Sequence, residues 1–262
     1  MKLDLLAILA LSLTLSGAAY AADANDEPKE PAPQSWAWDG PFGRFDRAQL
    51  QRGYLVYKGL CAACHSMSLM SFRNLSQPGG PEFSEAQMKA FAASSKVPTL
   101  DDKGEVAERP GVPADRFPAP FANEVAARAA NNNALPPDLS VIIKARHGGP
   151  DYVYALLTGY TDPPPAVEKD MLPDLSYNPY FPGGQIAMAG VLAVDGMIDY
   201  PNGSPPATVQ QMAKDVVAFL TWASEPKMEE RRDLGVKVVI FLAALSLLFY
   251  FTYKSVWRDV EH

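Results

Sequence analysis

Cys61-Ala62-Ala63-Cys64-His65 is the stretch around which the rest of the chain is organised. Two thiols at this spacing can add to the two vinyl groups of one haem, and the histidine that follows is then held where its imidazole can bond the iron. A zinc site would need further ligands, but the chain has no other cysteine. A thioredoxin-like redox pair would need a strand–helix–strand context, which the flanking sequence lacks. The motif therefore predicts one haem c, bound covalently through Cys61 and Cys64, with His65 as an axial ligand.

Composition and charge narrow the class of protein. The 262 residues carry a net charge of −7, and the sequence pI is about 5.0. Because nucleic acids bind basic surfaces, this balance argues against nucleic acid as a partner and favours docking to a basic protein. Both cysteines lie in the motif, so no structural disulfide is available. The 24 prolines favour short helices and irregular turns over a continuous sheet.

The two ends of the chain predict export and a membrane anchor. Residues 1–21 are typical of a cleaved signal peptide, with an apolar stretch that ends in a small-x-small cleavage site. Leu234–Tyr253 is apolar on all sides and carries a single charge, which predicts a transmembrane helix within residues 231–256. Residues 22–230 are then the periplasmic haem domain, and residues 257–262 the cytoplasmic tail.

Helical patterns surround the motif and define the expected fold. Asp46 can cap a helix that ends in Cys61, and Ala207–Ser224 carries an amphipathic stripe. A first helix that leads into the motif and is crossed by a C-terminal helix is the arrangement of class I c-type cytochromes. The prediction is a mainly α, class I cytochrome c-like haem domain with long irregular insertions and one C-terminal transmembrane helix. Further helices are predicted at Ser84–Ala93, Phe121–Ala130, Leu139–Ala145 and Asp151–Leu157, with irregular chain at Val97–Pro120 and Gly159–Met197.

The second axial ligand is left open by the residue patterns alone. Several methionines lie too close to the motif or within helices, and Met212 fits the apolar stripe of its helix, so a packing role is predicted for it. The remaining candidates are Met171, Met188, Met197 and His147. Met188 is favoured because it follows a Pro-Gly-Gly turn in an apolar loop, which can place a thioether over a haem face. His147 adjoins a Gly-Gly turn and is interpreted as a surface histidine.

The sequence also resembles the cytochrome c1 family, the haem subunits of the cytochrome bc1 complex. The resemblance is carried by islands spread from Trp36 to the anchor. They are Trp38–Gly43, Phe45–Gly53, Cys61–Ser66, Ala134–Ser140, Ala145–Gly149, Asp151–Tyr154, Leu156–Tyr160, Asn178–Gly183 and Ala213–Val216. Two positions depart from the family pattern, since Gly190 stands where proline is usual and Asn133 where glycine is usual.

The resemblance implies roles for particular residues. It implies His65 and Met188 as the axial ligands of the iron. It implies Arg146 and Tyr152 as contacts of the haem propionates, whereas each alone would be read as a surface salt bridge or a core aromatic. It places Pro137 in the segment that packs against the histidine side of the haem.

The resemblance also implies a function, partners and a location. The chain would be the electron carrier of a quinol–cytochrome c oxidoreductase in the bacterial inner membrane, beside cytochrome b and the Rieske iron–sulfur protein. It would take an electron from the Rieske protein and pass it to a soluble, basic-faced c-type cytochrome. One alternative is a membrane-anchored monohaem cytochrome that feeds a terminal oxidase, but it would lack the Ala145–Gly149 and Asn178–Gly183 islands. Another is a haem enzyme with an open iron site, such as a peroxidase, which would have no sixth ligand.

Overall fold

The computed structural model describes residues 27–260. The predicted signal peptide and His262 lie outside the described residues. The α-helices are α1 (Arg47–Val56), α2 (Glu85–Ala93), α3 (Glu124–Ala130), α4 (Gly149–Thr158), α5 (Pro165–Glu168), α6 (Val209–Ser224) and α7 (Met228–Val256). Two antiparallel hairpins pair β1 (Lys96–Leu100) with β2 (Val106–Pro110), and β3 (Ser176–Tyr177) with β4 (Gln185–Ile186). A π-helical turn covers Tyr57–Cys61, and a 3-10 turn covers Phe72–Ser76. The mainly α architecture agrees with the prediction.

The packing of α1 against α6 forms the centre of the head. Asp46 caps α1 by accepting hydrogen bonds from the first-turn N–H groups, as the sequence predicted. The helices approach so closely that a Cβ at Gly53 would lie 2.0 Å from the Asp215 carbonyl oxygen and 2.7 Å from Phe219 Cβ. Any side chain at this position would force the two backbones apart. The glycine therefore sets the contact that the sequence predicted between the first and the C-terminal helix of the haem domain.

A buried ion pair lies at the same contact. Arg52 Nε is 2.8 Å from Asp215 Oδ2, and the carboxylate of Asp215 is fully buried. Gln211 Nε2 donates to the other oxygen of Asp215 at 2.8 Å, and the Arg52 guanidinium lies 5.7 Å from the centre of the Tyr200 ring. Tyr54 and Phe219 pack beside the pair with ring centres 5.6 Å apart. Apolar packing and a paired charge thus hold the two helices together.

Most of the predicted helices are present. α2 begins after Ser84, whose side chain caps it, and α4 includes the predicted 151–157 helix. The predicted 121–130 helix begins later, at Glu124, because Asn123 caps it there. Within the 159–197 stretch, predicted to be irregular, the structure has only the short elements α5, β3 and β4.

Two predictions for the middle of the chain were wrong. Residues 139–145 form successive turns rather than a helix, because the Ser140 carbonyl accepts from Ser224 Oγ and the Lys144 N–H donates three residues back, to Val141. The 97–120 stretch was predicted to be irregular, but it contains the β1–β2 hairpin. Proline is tolerated in edge strands, and both strands of a two-stranded hairpin are edges, so Pro98 and Pro110 fit there.

The last helix, α7, runs for 29 residues and has a window of mean hydropathy 2.3, none of which is buried against the described chain. It is long and apolar enough to cross a membrane. Its first turns are nevertheless fixed to the head. Glu229 accepts from Arg47 Nη2 at 2.6 Å and from the Phe45 N–H at 2.8 Å, and Arg232 Nη1 donates to the Gly43 carbonyl at 2.7 Å. We call these contacts the head–anchor junction.

Candidate functional site

The cysteine motif follows α1 without a break. The π-helical turn ends at Cys61, and the N–H groups of Cys64 and His65 both donate to the Cys61 carbonyl, at 3.1 and 2.9 Å. The motif is therefore wound into one tight turn. A Cβ at Gly59 would lie 2.6 Å from Ile198 Cδ1, so the 191–200 loop packs directly against the turn. The end of the first helix thus presents both sulfurs and the imidazole from one fixed piece of backbone.

The two thiols have different surroundings. They are not joined to each other. Burial, with a smaller contribution from Cys64, raises the pKa of the Cys61 thiol to about 12. Cys64 is exposed and lines a cavity of about 210 Å³. The other residues of the lining are mainly apolar: Ser66, Ala119, Pro120, Phe121, Asn123, Glu124, Ala127, Leu135 and Pro136.

One ring nitrogen of His65 makes a hydrogen bond to the protein backbone. Its Nδ1 lies 2.8 Å from the Pro137 carbonyl oxygen. A carbonyl can only accept, so Nδ1 carries the proton and Nε2 is the nitrogen left to bind a metal. Burial lowers the pKa of His65, while the bond to Pro137 and the charge of Asp138 oppose that shift. The neutral imidazole that results is the form that ligates iron. Two thiols, this imidazole and the apolar cavity fit a c-type haem.

The open candidates for the second ligand differ in exposure. Met212 is fully buried in the core, in agreement with its predicted packing role. Met197 is 38 % exposed and His147 is also exposed, whereas Met171 and Met188 are half-buried. The Met188 carbonyl accepts from Tyr160 Oη at 2.9 Å.

Arg146 lies just before α4, and Tyr152 lies in the first turn of that helix. Burial raises the pKa of Tyr152, and the positive charge of Arg146 acts in the opposite direction. Arg146 is exposed, and its Nη1 donates to its neighbour's carbonyl, Ala145 O, at 3.0 Å. Gly148 adopts a left-handed φ of +78° between them. Two donors of this kind can bind a carboxylate together.

Three residues that matter for the site were not singled out from the sequence. Asp138 bonds to the chain after His65. Tyr160 bonds to the loop of Met188. Asn178 is fully buried, with Nδ2 donating to the Leu156 carbonyl at 2.8 Å. Asp138 could have been found, because an aspartate in a proline-rich turn commonly accepts from the backbone N–H two residues on, as in an Asx turn.

Comparison with known proteins gives consistent matches. Residues 36–260 match the model of the Cytochrome C1 family. Cytochrome c1 of Rhodospirillum rubrum is 44% identical over 92% of this chain and 93% of its own length. The cytochrome b-c1 complex catalytic subunit, mitochondrial, of Candida albicans is 46% identical over 93% of this chain and 83% of its own. Cytochrome b/c1 of Bradyrhizobium diazoefficiens is 46% identical over 97% of this chain, which spans only 39% of that longer relative.

Proposed function

The chain belongs to the cytochrome c1 family, the haem-carrying electron-transfer subunits of the bc1 complex, and from that premise we propose how this chain holds its haem. One haem c is attached through Cys61 and Cys64. His65 and Met188 are its axial ligands, and Arg146 and Tyr152 contact its propionates.

The observation that carries this proposal is the bond between His65 Nδ1 and the Pro137 carbonyl at 2.8 Å. It fixes the tautomer and the ring orientation, and it leaves Nε2 free on the opposite edge of the ring. Pro137 thereby gains a defined role on the histidine side, as an acceptor. When bound, a haem with histidine and methionine ligands supplies one-electron chemistry at a raised reduction potential.

On the methionine side the chain holds the loop through its backbone. Tyr160 Oη donates to the Met188 carbonyl, so the main chain is anchored while the thioether keeps its freedom. Ile186 is buried two residues earlier and fixes the loop from the other direction. The two contacts hold the loop that carries the Met188 side chain.

The proposed electron path rests on family membership, while the net charge supports the acceptor and the apolar last helix supports the location. The donor is the Rieske iron–sulfur protein, cytochrome b is the neighbour in the membrane, and the acceptor is a soluble, basic-faced c-type cytochrome. The net charge of −7 supports such an acceptor. The haem domain lies in the periplasm, with residues 1–21 removed and α7 in the inner membrane. Stopped-flow reduction of a basic cytochrome should slow as salt rises, and a rate independent of salt would contradict the docking proposal.

The ligand assignment is tested with Met188→Leu in the membrane-extracted holoprotein. We expect loss of the low-spin histidine–methionine spectrum and new binding of carbon monoxide at neutral pH. Met171→Leu is the matched control, since that side chain is also half-buried, and it should keep the spectrum and exclude carbon monoxide. The reverse result would move the ligand to Met171. A colourless wild-type protein would overturn the proposal of a covalent haem.

A further inference from the structure

Two stretches of chain, 65–69 and 137–140, run side by side, and we call them the paired segments. Asp138 belongs to the second and bonds to the first. Ser66 Oγ donates to Asp138 Oδ2 at 2.9 Å, and the Ser68 N–H donates to the same oxygen at 2.8 Å. Both donors belong to the chain that immediately follows the haem motif. The carboxylate therefore bonds to the segment that carries His65.

The second oxygen of the same carboxylate is also used. Asp138 Oδ1 accepts from the Ser140 N–H at 2.8 Å. Burial acts to raise the pKa of Asp138, but the bonds from Ser140 and Ser68 outweigh it and leave that pKa well below its usual range. The side chain is thus an ionised carboxylate that accepts at both oxygens. An asparagine would bring an NH₂ group to one of these N–H donors, so the amide could not make the same set of bonds.

This network fixes the acceptor of the His65 imidazole. Asp138 directly follows Pro137, whose carbonyl accepts from His65 Nδ1. The Leu139 N–H donates to the Ser66 carbonyl at 2.8 Å, so the chain is tied to the motif segment on the far side of Asp138 as well. The Pro137 carbonyl consequently cannot turn away from the imidazole unless the carboxylate releases its partners.

We propose that Asp138 is a positioning residue for His65: it holds the Pro137 carbonyl against Nδ1, places a fixed negative charge behind the ring, and so lowers the reduction potential of the haem. This inference rests on the proposed function. A held Nδ1–H bond makes the imidazole a stronger electron donor to iron, and a nearby negative charge favours the ferric form, which carries one more positive charge. Both effects lower the potential, so their sum has a definite sign.

The test is a redox titration of the membrane-extracted holoprotein carrying Asp138→Asn. At a fixed solution potential we expect the ratio of reduced to oxidised haem to rise about tenfold, which is ~59 mV for a one-electron couple. The control is Asp101→Asn, because Asp101 is also a carboxylate that accepts backbone N–H bonds, from Lys103 and Glu105, but in the turn of the β1–β2 hairpin. It should leave the potential unchanged.

A second variant keeps the inference testable if Asp138→Asn fails to retain haem. Asp138→Glu keeps the charge but is too long to make the same bonds, so we expect a smaller rise, about threefold, and faster hydrogen exchange of the Leu139 and Ser68 amides. An unchanged potential in either haem-loaded variant overturns the positioning role. That failure is distinct from failure of the proposed function, in which the wild type itself would lack the histidine–methionine spectrum.

Discussion

His65 lies at the end of the tight turn that follows α1, and its ring bonds to Pro137 in the other paired segment. Met188 lies instead in the long stretch between α4 and α6, whose elements are a helix of four residues and two strands of two. Around His65, the proposed histidine ligand, several hydrogen bonds hold the chain within a few residues. The methionine side is held at separated points, chiefly Tyr160 and Asn178. The difference implies that the methionine side opens first when the domain is stressed, because fewer contacts must break there.

The largest effect on stability should come from a change at the contact of α1 with α6, which supports both the His65 and the Met188 side of the site. Asp215→Ala leaves Arg52 buried without its partner at the contact of α1 with α6, and we expect a loss of about 3–5 kcal/mol in the free energy of unfolding. Chemical denaturation in detergent, followed by haem absorbance, measures it. Asp233→Ala is the control, since its ion pair with Arg44 is about half exposed and solvent screening should leave it little effect on stability. Equal losses of unfolding free energy in the two variants would show that the buried Arg52–Asp215 pair does not stabilise the head more than an exposed ion pair does.

An intermediate effect should appear on the methionine side alone. Tyr160→Phe removes the donor to the Met188 carbonyl and should cost about 1 kcal/mol, which raises the population of the detached loop about fivefold. The rate of carbon monoxide binding reports that population. Tyr177→Phe is the control, because its hydroxyl makes no hydrogen bond within residues 27–260. If Tyr160→Phe instead weakened the His65 bond and left the carbon monoxide rate unchanged, the two sides would not be independent.

The smallest effect should come from the ion pair of Arg109 with Asp115, which bonds to neither His65 nor the Met188 loop. Its effect on stability gives a scale for the other two. The side-chain bond from Arg109, helped by the Val112 N–H, lowers the pKa of Asp115 to about 2. Since this pKa lies below the unfolded value of ~3.9, the pair stabilises the fold above that value and loses its effect as pH falls toward 2. The thermal midpoint of Asp115→Asn should therefore fall less steeply than that of the wild type between pH 4 and 2. Parallel curves would mean that the pair contributes nothing.

The contrast between the two sides also explains what the sequence could predict. The haem motif, the Asp46 cap and the apolar anchor are patterns among near neighbours, and the structure contains the cap and the anchor helix where they were expected. Tyr160 and Met188 are 28 residues apart, and no periodicity links them. The bonds of Asp138 to Ser66 and Ser68 likewise join residues that are 72 and 70 positions apart, so they depend on the finished fold.

Contacts that local sequence patterns do not reveal also account for the two predictions that were wrong. Residues 139–145 have apolar positions at helical spacing, and Ile142 and Ile143 are buried. Their backbone is nevertheless held in turns, because the Ser140 carbonyl accepts from Ser224 Oγ, and the Lys144 N–H donates to Val141 three residues back instead of to Ser140. Within the β1–β2 hairpin, prolines obscured a strand pattern that is permitted at an unpaired edge.

The head–anchor junction limits how the domain can move above a membrane. Glu229 is buried within the head's own ion pairs, yet it belongs to the same 29-residue helix, roughly 44 Å long, that is apolar enough to span the bilayer. Rotation at this point would have to break the charged contacts of Glu229, so a bilayer around the helix would leave the head at a constant height and tilt. A haem carried by such a head would not diffuse to its reaction partners, and the partners would have to diffuse to it.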